Sequence, residues 1–117
     1  MKLFIKYDPP NWNDYINIER TNFYKANKLK QKEKEIVRLS TIGKHYNGNY
    51  PVEITFKPHF KDYRRDLDNT RVKGLLDGLV ACKVLKNDNL RHIQRIVIEP
   101  IFDNLMGVEV EIKEIVQ

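Results

Sequence analysis

Residues 52–82 read VEITFKPHFKDYRRDLDNTRVKGLLDGLVAC, and two different hydrophobic periods meet in them. Val52, Ile54 and Phe56 alternate with Glu53, Thr55 and Lys57, the period-two signature of a half-buried strand. Pro58 is expected to end it. From Asn69 to Cys82 the period changes: Val72, Leu75, Leu76, Leu79 and Val80 fall at i, i+3, i+4, i+7 and i+8, one apolar stripe of a helix. Gly74 and Gly78 each weaken that helix by about 1 kcal/mol relative to alanine. Their presence leaves room for something to pack closely on this helix.

Working outward, Ile93–Glu99 is apolar on both faces at Ile96, Val97 and Ile98, which predicts a central strand. Gly107 opens a last strand in which Val108, Val110 and Ile112 alternate with Glu109, Glu111 and Lys113. Towards the N-terminus, Lys2–Tyr7 reads as a strand with Leu3, Ile5 and Tyr7 on one face, broken by Pro9-Pro10. A short helix is predicted around Asp14–Glu19, after Asn11-Trp12-Asn13. A longer one runs from about Tyr24 to Ile42 and is stopped by Gly43, with Leu29, Ile36 and Leu39 on its buried side. Asn47-Gly48 marks a turn. The order β-α-α-β-α-β-β predicts an α+β fold of two layers, a mixed four-stranded sheet with helices packed on it.

The chain has 117 residues, enough for one domain over 1–117. With 41% hydrophobic and 32% charged residues it can fill one core, and its small size makes oligomerisation a reasonable expectation. It contains no apolar run long enough for a membrane helix, and MKLFIKYDPP reads as a strand rather than a signal peptide. The single Cys82 excludes an internal disulfide framework and suits a reducing cytoplasm. It reads as a small apolar packing residue.

The formal net charge of +5 is unevenly spread. Arg20, Lys25, Lys28, Lys30, Lys32, Lys34, Arg38 and Lys44 face only Glu33 and Glu35, whereas Glu99, Asp103, Glu109, Glu111 and Glu114 face only Lys113. That asymmetry suits a polyanion-binding face, or else a solvated lysine-rich helix.

Candidate chemistry concentrates in Arg64-Arg65-Asp66-Leu67-Asp68-Asn69, then Lys73, Asp77 and Asp88. If Asp66–Asp68 is extended, both carboxylates point to one side, where a cation would relieve their repulsion. Asp88, between the helix and the next strand, could return beside them to complete a three-carboxylate site. Hard oxygen ligands of this kind suit Mg²⁺, and with Arg64, Arg65, Arg71 and Lys73 nearby they suit phosphodiester hydrolysis. The bland alternatives are equally concrete. Asp68 or Asn69 could cap the helix, Lys73 and Asp77 could be a surface i, i+4 pair, and Asp88 could be a turn residue.

The combination RRDLDN, Lys73, Asp77-Gly78-Leu79 and Asp88 resembles the RusA family of Holliday junction resolvases. The Pro-Pro after the first strand, the stretch YINIERTN at 15–22 and the lysine-rich helix are also similar to that family. The resemblance implies a phage-associated, homodimeric endonuclease of the bacterial cytoplasm that resolves four-way DNA junctions by paired nicks with Mg²⁺ or Mn²⁺. It implies Asp66, Asp68 and Asp88 as metal ligands and Lys73 as the functional lysine, with Val72 the other residue that aligns. By their charge, Arg64, Arg65, Arg71, Lys25, Lys28 and Lys32 are the expected DNA contacts, and Asn69 is expected to orient an aspartate. Asn87-Asp88 stands where family members often carry paired aspartates.

Two other classes remain in view: a non-catalytic module that binds branched DNA, and a metal-dependent hydrolase acting on nucleotides or RNA. His45, His59 and His92 lack metal-ligand spacing and read as surface, loop or core residues. Trp12 and the tyrosines could stack on unpaired bases, although packing is their commoner use.

Overall fold

A computed structural model describes residues 1–116. In chain order it contains β1 (Lys2–Ile5), α1 (Trp12–Thr21), α2 (Phe23–Ser40), β2 (Val52–Phe60), α3 (Lys73–Ala81), β3 (Ile93–Ile98), β4 (Ile101–Phe102) and β5 (Val108–Glu114), with a 3₁₀ turn at Leu67–Asn69. The fold is α+β, as expected. The sheet is mixed and runs β1-β5-β2-β3. β1 and β2 lie antiparallel on either side of β5, and β3 is parallel to β2. The fifth strand, unforeseen in the sequence, is β4: its two residues pair with His59 and Phe60 at the end of β2.

β2 also runs past Pro58, contrary to expectation. Phe56 and Phe60 accept main-chain hydrogen bonds from Glu99 (2.9 Å) and Asp103 (3.0 Å), so the even-numbered residues of β2 turn their polar groups towards β3 and β4. Pro58 therefore faces the break at Glu99-Pro100, where no donor is needed.

Alternation sorts the sheet into two faces. Leu3, Ile5, Val52, Ile54, Phe56, Val108, Val110 and Ile112 are all buried, and they form one core with Val37 of α2 and Leu75 and Leu79 of α3. The expected central strand is instead an edge. β5, apolar on one face only, sits centrally because it pairs on both sides, whereas β3 pairs on one side and leaves Ile96 49% exposed. Local hydrophobicity reported the composition of β3 but not its number of neighbours.

Asn22 joins the first two helices. Its main-chain N–H donates to Ile18 (2.8 Å) and closes α1, while its side chain accepts from Lys25 N (3.1 Å) and caps α2. Asn11 caps α1 by accepting from Asp14 N at 2.8 Å. Such caps each contribute about 1 kcal/mol. The buried line of α2 is Ala26, Glu33 and Val37; Ile36 packs half-buried against the core as expected, Leu29 is half-buried, and Leu39 is exposed. The helix is rotated because Glu33 has a partner in the interior.

The two glycines of α3 explain how closely the helices approach. A Cβ on Gly74 would collide with the Glu33 carboxylate, and one on Gly78 would lie 2.8 Å from Val37 Cγ2. Gly78→Ala is therefore expected to lower the melting temperature, since overpacking costs about 1–3 kcal/mol against about 1 kcal/mol of helix propensity gained. Adding Val37→Ala should recover part of the loss. A Gly78→Ala variant that melts higher than the native chain would contradict this packing.

Candidate active site and nucleic-acid interface

Three elements enclose an open cavity of about 550 Å³. Trp12, Tyr15 and Glu19 of α1, Lys30 and Lys34 of α2, and Lys73, Asp77 and Ala81 of α3 line it, together with Asp88. Its base is formed by Arg71 and Glu33. These two are joined by hydrogen bonds of 2.7 and 2.8 Å from Arg71 to the two carboxylate oxygens, and their side chains are 2% and 1% exposed. Tyr7 donates a third bond to Glu33 at 3.0 Å. The Arg71 guanidinium also lies 3.8 Å from the Tyr15 ring centre and 5.6 Å from that of Trp12. Its Nε remains buried without an acceptor, a deficit that costs about 1–3 kcal/mol in a folded protein.

This corrects the sequence reading of Arg71. It is a core residue that links α1, α2 and the segment before α3, not an exposed DNA contact. The same anchoring reshapes the acidic motif. Arg71 N donates to Pro10 O at 3.3 Å, and Thr70 forms an isolated bridge with Asn11. Thr70–Val72 is thereby held out of the helix, which starts at Lys73 rather than Asn69.

Asp66 is extended, but Asp68 lies within the 3₁₀ turn, so the same-side arrangement of an extended pair does not form. Asn69 Oδ1 accepts from Asn13 N (3.3 Å) and ties the turn to α1; its main-chain N–H donates to Asp66 O (3.2 Å), but its side chain makes no hydrogen bond to an aspartate carboxylate. Helix capping does not employ either acid: the residue before α3 is Val72, and Asp66 makes no side-chain cap. Among the described residues, Asp66, Asp68 and Asp88 are exposed, and no hydrogen bond or ion pair engages their carboxylates.

Asp88 reaches the cavity through a sharp reversal after α3. Lys83 adopts a left-handed backbone (φ 61°), Val84 N donates to Leu79 O (2.9 Å), and the buried Val84 and Leu85 fasten the chain to the core. The wall thus gathers Lys73, Asp77 and Asp88, whereas Asp66 and Asp68 lie outside the lining. No three acidic, histidine or cysteine side chains among the described residues converge as a closed metal set. The donors nonetheless suit Mg²⁺, which commonly takes one or two carboxylates and completes its shell with waters and substrate phosphate.

The basic residues divide into three groups. Arg64 is 90% exposed and touches only Asp62, at 3.3 Å. Arg65 is exposed and braces the β1–α1 connection, donating to Asp8 (2.6 Å) and Pro9 O (3.1 Å). By the 3.6-residue period, Lys30 and Lys34 lie on one flank of the Ala26–Glu33–Val37 line, and Lys25, Lys28 and Lys32 on the other. The expected trio is exposed but turned from the cavity. Lys73, 3.2 Å from Asp77, does form the surface pair that its spacing allowed. Val72, the alternative aligned residue, is buried.

Residues outside the motif supply much of the cavity. Trp12, Tyr15, Glu19, Lys30 and Lys34 come from α1 and α2, and only the helix start at Asn11-Trp12-Asn13 and the lysine-rich sequence of α2 hinted at them. His59 is buried in β2, 2.8 Å from Asp103 and 3.5 Å from Glu109; the Asp103 carboxyl is held below its usual range by that imidazole. Burial raises the Cys82 thiol, consistent with a packing role.

Burial and the adjacent Glu33 carboxylate push the Tyr7 phenol far above its ordinary value of 10.0. The folded state therefore holds this proton more tightly than the unfolded state. Its contribution to stability is complete below pH 10 and is lost as pH rises towards the folded value. Tyr7→Phe should remove that loss, and urea midpoints measured on both sides of pH 10 would show it. An unchanged alkaline slope would exclude Tyr7 as the source.

No protein-family model matches the chain, and neither does any curated protein.

Proposed function

We propose that the protein is a Mg²⁺-dependent endonuclease of the RusA type, nicking branched DNA, with Asp66, Asp68 and Asp88 as its metal-binding carboxylates. The observation that carries this reading is that the carboxylates of these three aspartates are exposed and make no hydrogen bond or ion pair among the described residues. Unpaired carboxylates beside lysine-bearing surface suit a cation that bridges protein to phosphate. Mg²⁺, when bound there, would lower the pKa of a bound water and stabilise charge on the phosphate oxygens.

The chain's own residues supply position and field. Asp88 is brought to the cavity wall by the Lys83 reversal, beside Lys73. Lys73 can leave its exposed pair with Asp77 at little cost and stabilise charge developing on the phosphate. Arg64, with its exposed guanidinium, and the lysines on both flanks of α2 hold neighbouring backbone, so affinity should fall steeply with salt. Symmetrical nicking of a four-way junction calls for two equivalent sites, which a two-fold dimer supplies.

The test is cleavage of a synthetic four-way junction in Mg²⁺ and in Mn²⁺, with linear duplex and RNA as competitors. Paired nicks confined to the junction are expected. Binding without cutting in both metals would replace this reading with a non-catalytic branched-DNA module. Preferential cutting of RNA would replace it with a different hydrolase.

A further inference from the structure

We infer that the cavity between α1, α2 and α3 seats one unstacked nucleotide of a DNA strand, its base against Trp12 and its phosphate on Lys34. This deepens the nuclease reading and rests on it for the choice of DNA as ligand. The cavity, at about 550 Å³, lies within the range of small-molecule sites. Its chemistry is divided in the way a nucleotide is. Trp12 is half-buried, with its ring set edge-on to Tyr15 (centroids 6.2 Å apart, 84° between planes), and an aromatic or guanidinium face accepts any base by stacking.

Charge pairing within the wall sharpens the assignment. Arg71 with Glu33, and Lys73 with Asp77, are internal pairs. Lys34 then remains on one flank for phosphate, with Lys30 held over the Tyr15 ring at 5.9 Å, while Glu19 remains as an acceptor for base N–H groups. The buried Arg71 Nε, with no acceptor in the protein, belongs to the same lining. A simple anion such as inorganic phosphate would use neither Trp12 nor Glu19, and that carboxylate would repel it. A free mononucleotide shares the required chemistry, so the source of the nucleotide is decided by experiment.

Trp12 is the only tryptophan in the chain, so its emission reports directly on the seat. The whole protein is titrated in EDTA with a short oligothymidylate, with a sugar-phosphate strand of equal length lacking bases, and with thymidine monophosphate. The expected result is saturable quenching by the base-bearing strand and none by the abasic strand. The mononucleotide should bind about 100-fold more weakly or worse, because it lacks the flanking phosphates. Lys34→Ala should weaken oligonucleotide binding and flatten its salt dependence by about one charge, while leaving the final quench in place. Trp12→Leu, checked for its native melting profile, should lose about tenfold or more in affinity measured by anisotropy.

Equal quenching by the abasic strand, or strand binding seen by anisotropy with no change in Trp12 emission, would overturn the inference. So would mononucleotide binding as tight as strand binding, which would make the seat one for free nucleotides. Junction nicking without Trp12 quenching sinks this inference alone. Quenching without nicking in either metal sinks the nuclease reading and leaves the seat standing.

Discussion

Glu33→Ala is expected to destabilise the fold by about 3–5 kcal/mol, the cost of removing one partner from a buried ion pair. Domains of this kind are stable by only about 5–15 kcal/mol, so the variant should unfold at a much lower urea concentration. The reason is local and countable. Glu33 accepts two hydrogen bonds from Arg71 and one from Tyr7, all in the interior. Alanine would leave a buried guanidinium facing a void, with its Nε already lacking an acceptor.

Glu35 is the control: same residue type, same helix, but paired with Arg38 on an exposed surface. Glu35→Ala should barely move the midpoint. Replacing the pair together, Glu33→Leu with Arg71→Met, should recover much of the loss, because the desolvation penalty disappears with both charges. Urea melts followed by Trp12 fluorescence and by circular dichroism would measure all four proteins. A Glu33→Ala loss no larger than that of Glu35→Ala would refute the buried-pair account.

Asp68→Asn is expected to reduce Mg²⁺-dependent nicking by on the order of 10³-fold or more and to leave junction affinity nearly unchanged. A single preorganised electrostatic group contributes ~10²–10³-fold, and a lost metal carboxylate removes both charge and a ligand. The structure makes this test clean. Asp68 is exposed, caps no helix and enters no ion pair, so the asparagine should leave the melting temperature alone. Lost cutting would then be a statement about chemistry. Asp77→Asn supplies the contrast, since Asp77 pairs with Lys73 on the cavity wall. If Asp77→Asn abolishes nicking and Asp68→Asn does not, the cation belongs on the cavity wall rather than on the 3₁₀ turn.

Elements whose reading depends on near neighbours were legible. The alternation of Val52–Phe56 and of Val108–Ile112, and the stripe Leu75, Leu76 and Leu79, became strands and a helix with their apolar faces inward. Gly74 and Gly78 were legible as sites of close approach, though Glu33 and Val37 as their neighbours were not. Asp66, Asp68 and Asp88 could be singled out as candidates from spacing alone. Their individual placement on an exposed turn and after a left-handed reversal could not.

The misreadings have one origin. Leu39 is far more apolar than Glu33, yet α2 buries Glu33 with Ala26 and Val37 and leaves Leu39 in solvent. Glu33 can be buried because Arg71, 38 residues away, is buried against it. That pairing also removes Arg71 from the DNA-facing set, and the burial of Glu33 leaves Lys30 and Lys34 on the cavity flank of α2. β3 was similarly misplaced, because an apolar run does not state how many strands will pair with it.

The sequence by itself therefore determined the α+β class, the chain order of the main helices and strands, and the residue types available for metal and phosphate. Each follows from hydrophobic period and capping within a few neighbouring residues. Only the tertiary structure decided which charges are spent in the interior and which face the cavity. The free energy of a buried charge depends on a partner distant in the chain, and no local pattern carries that information.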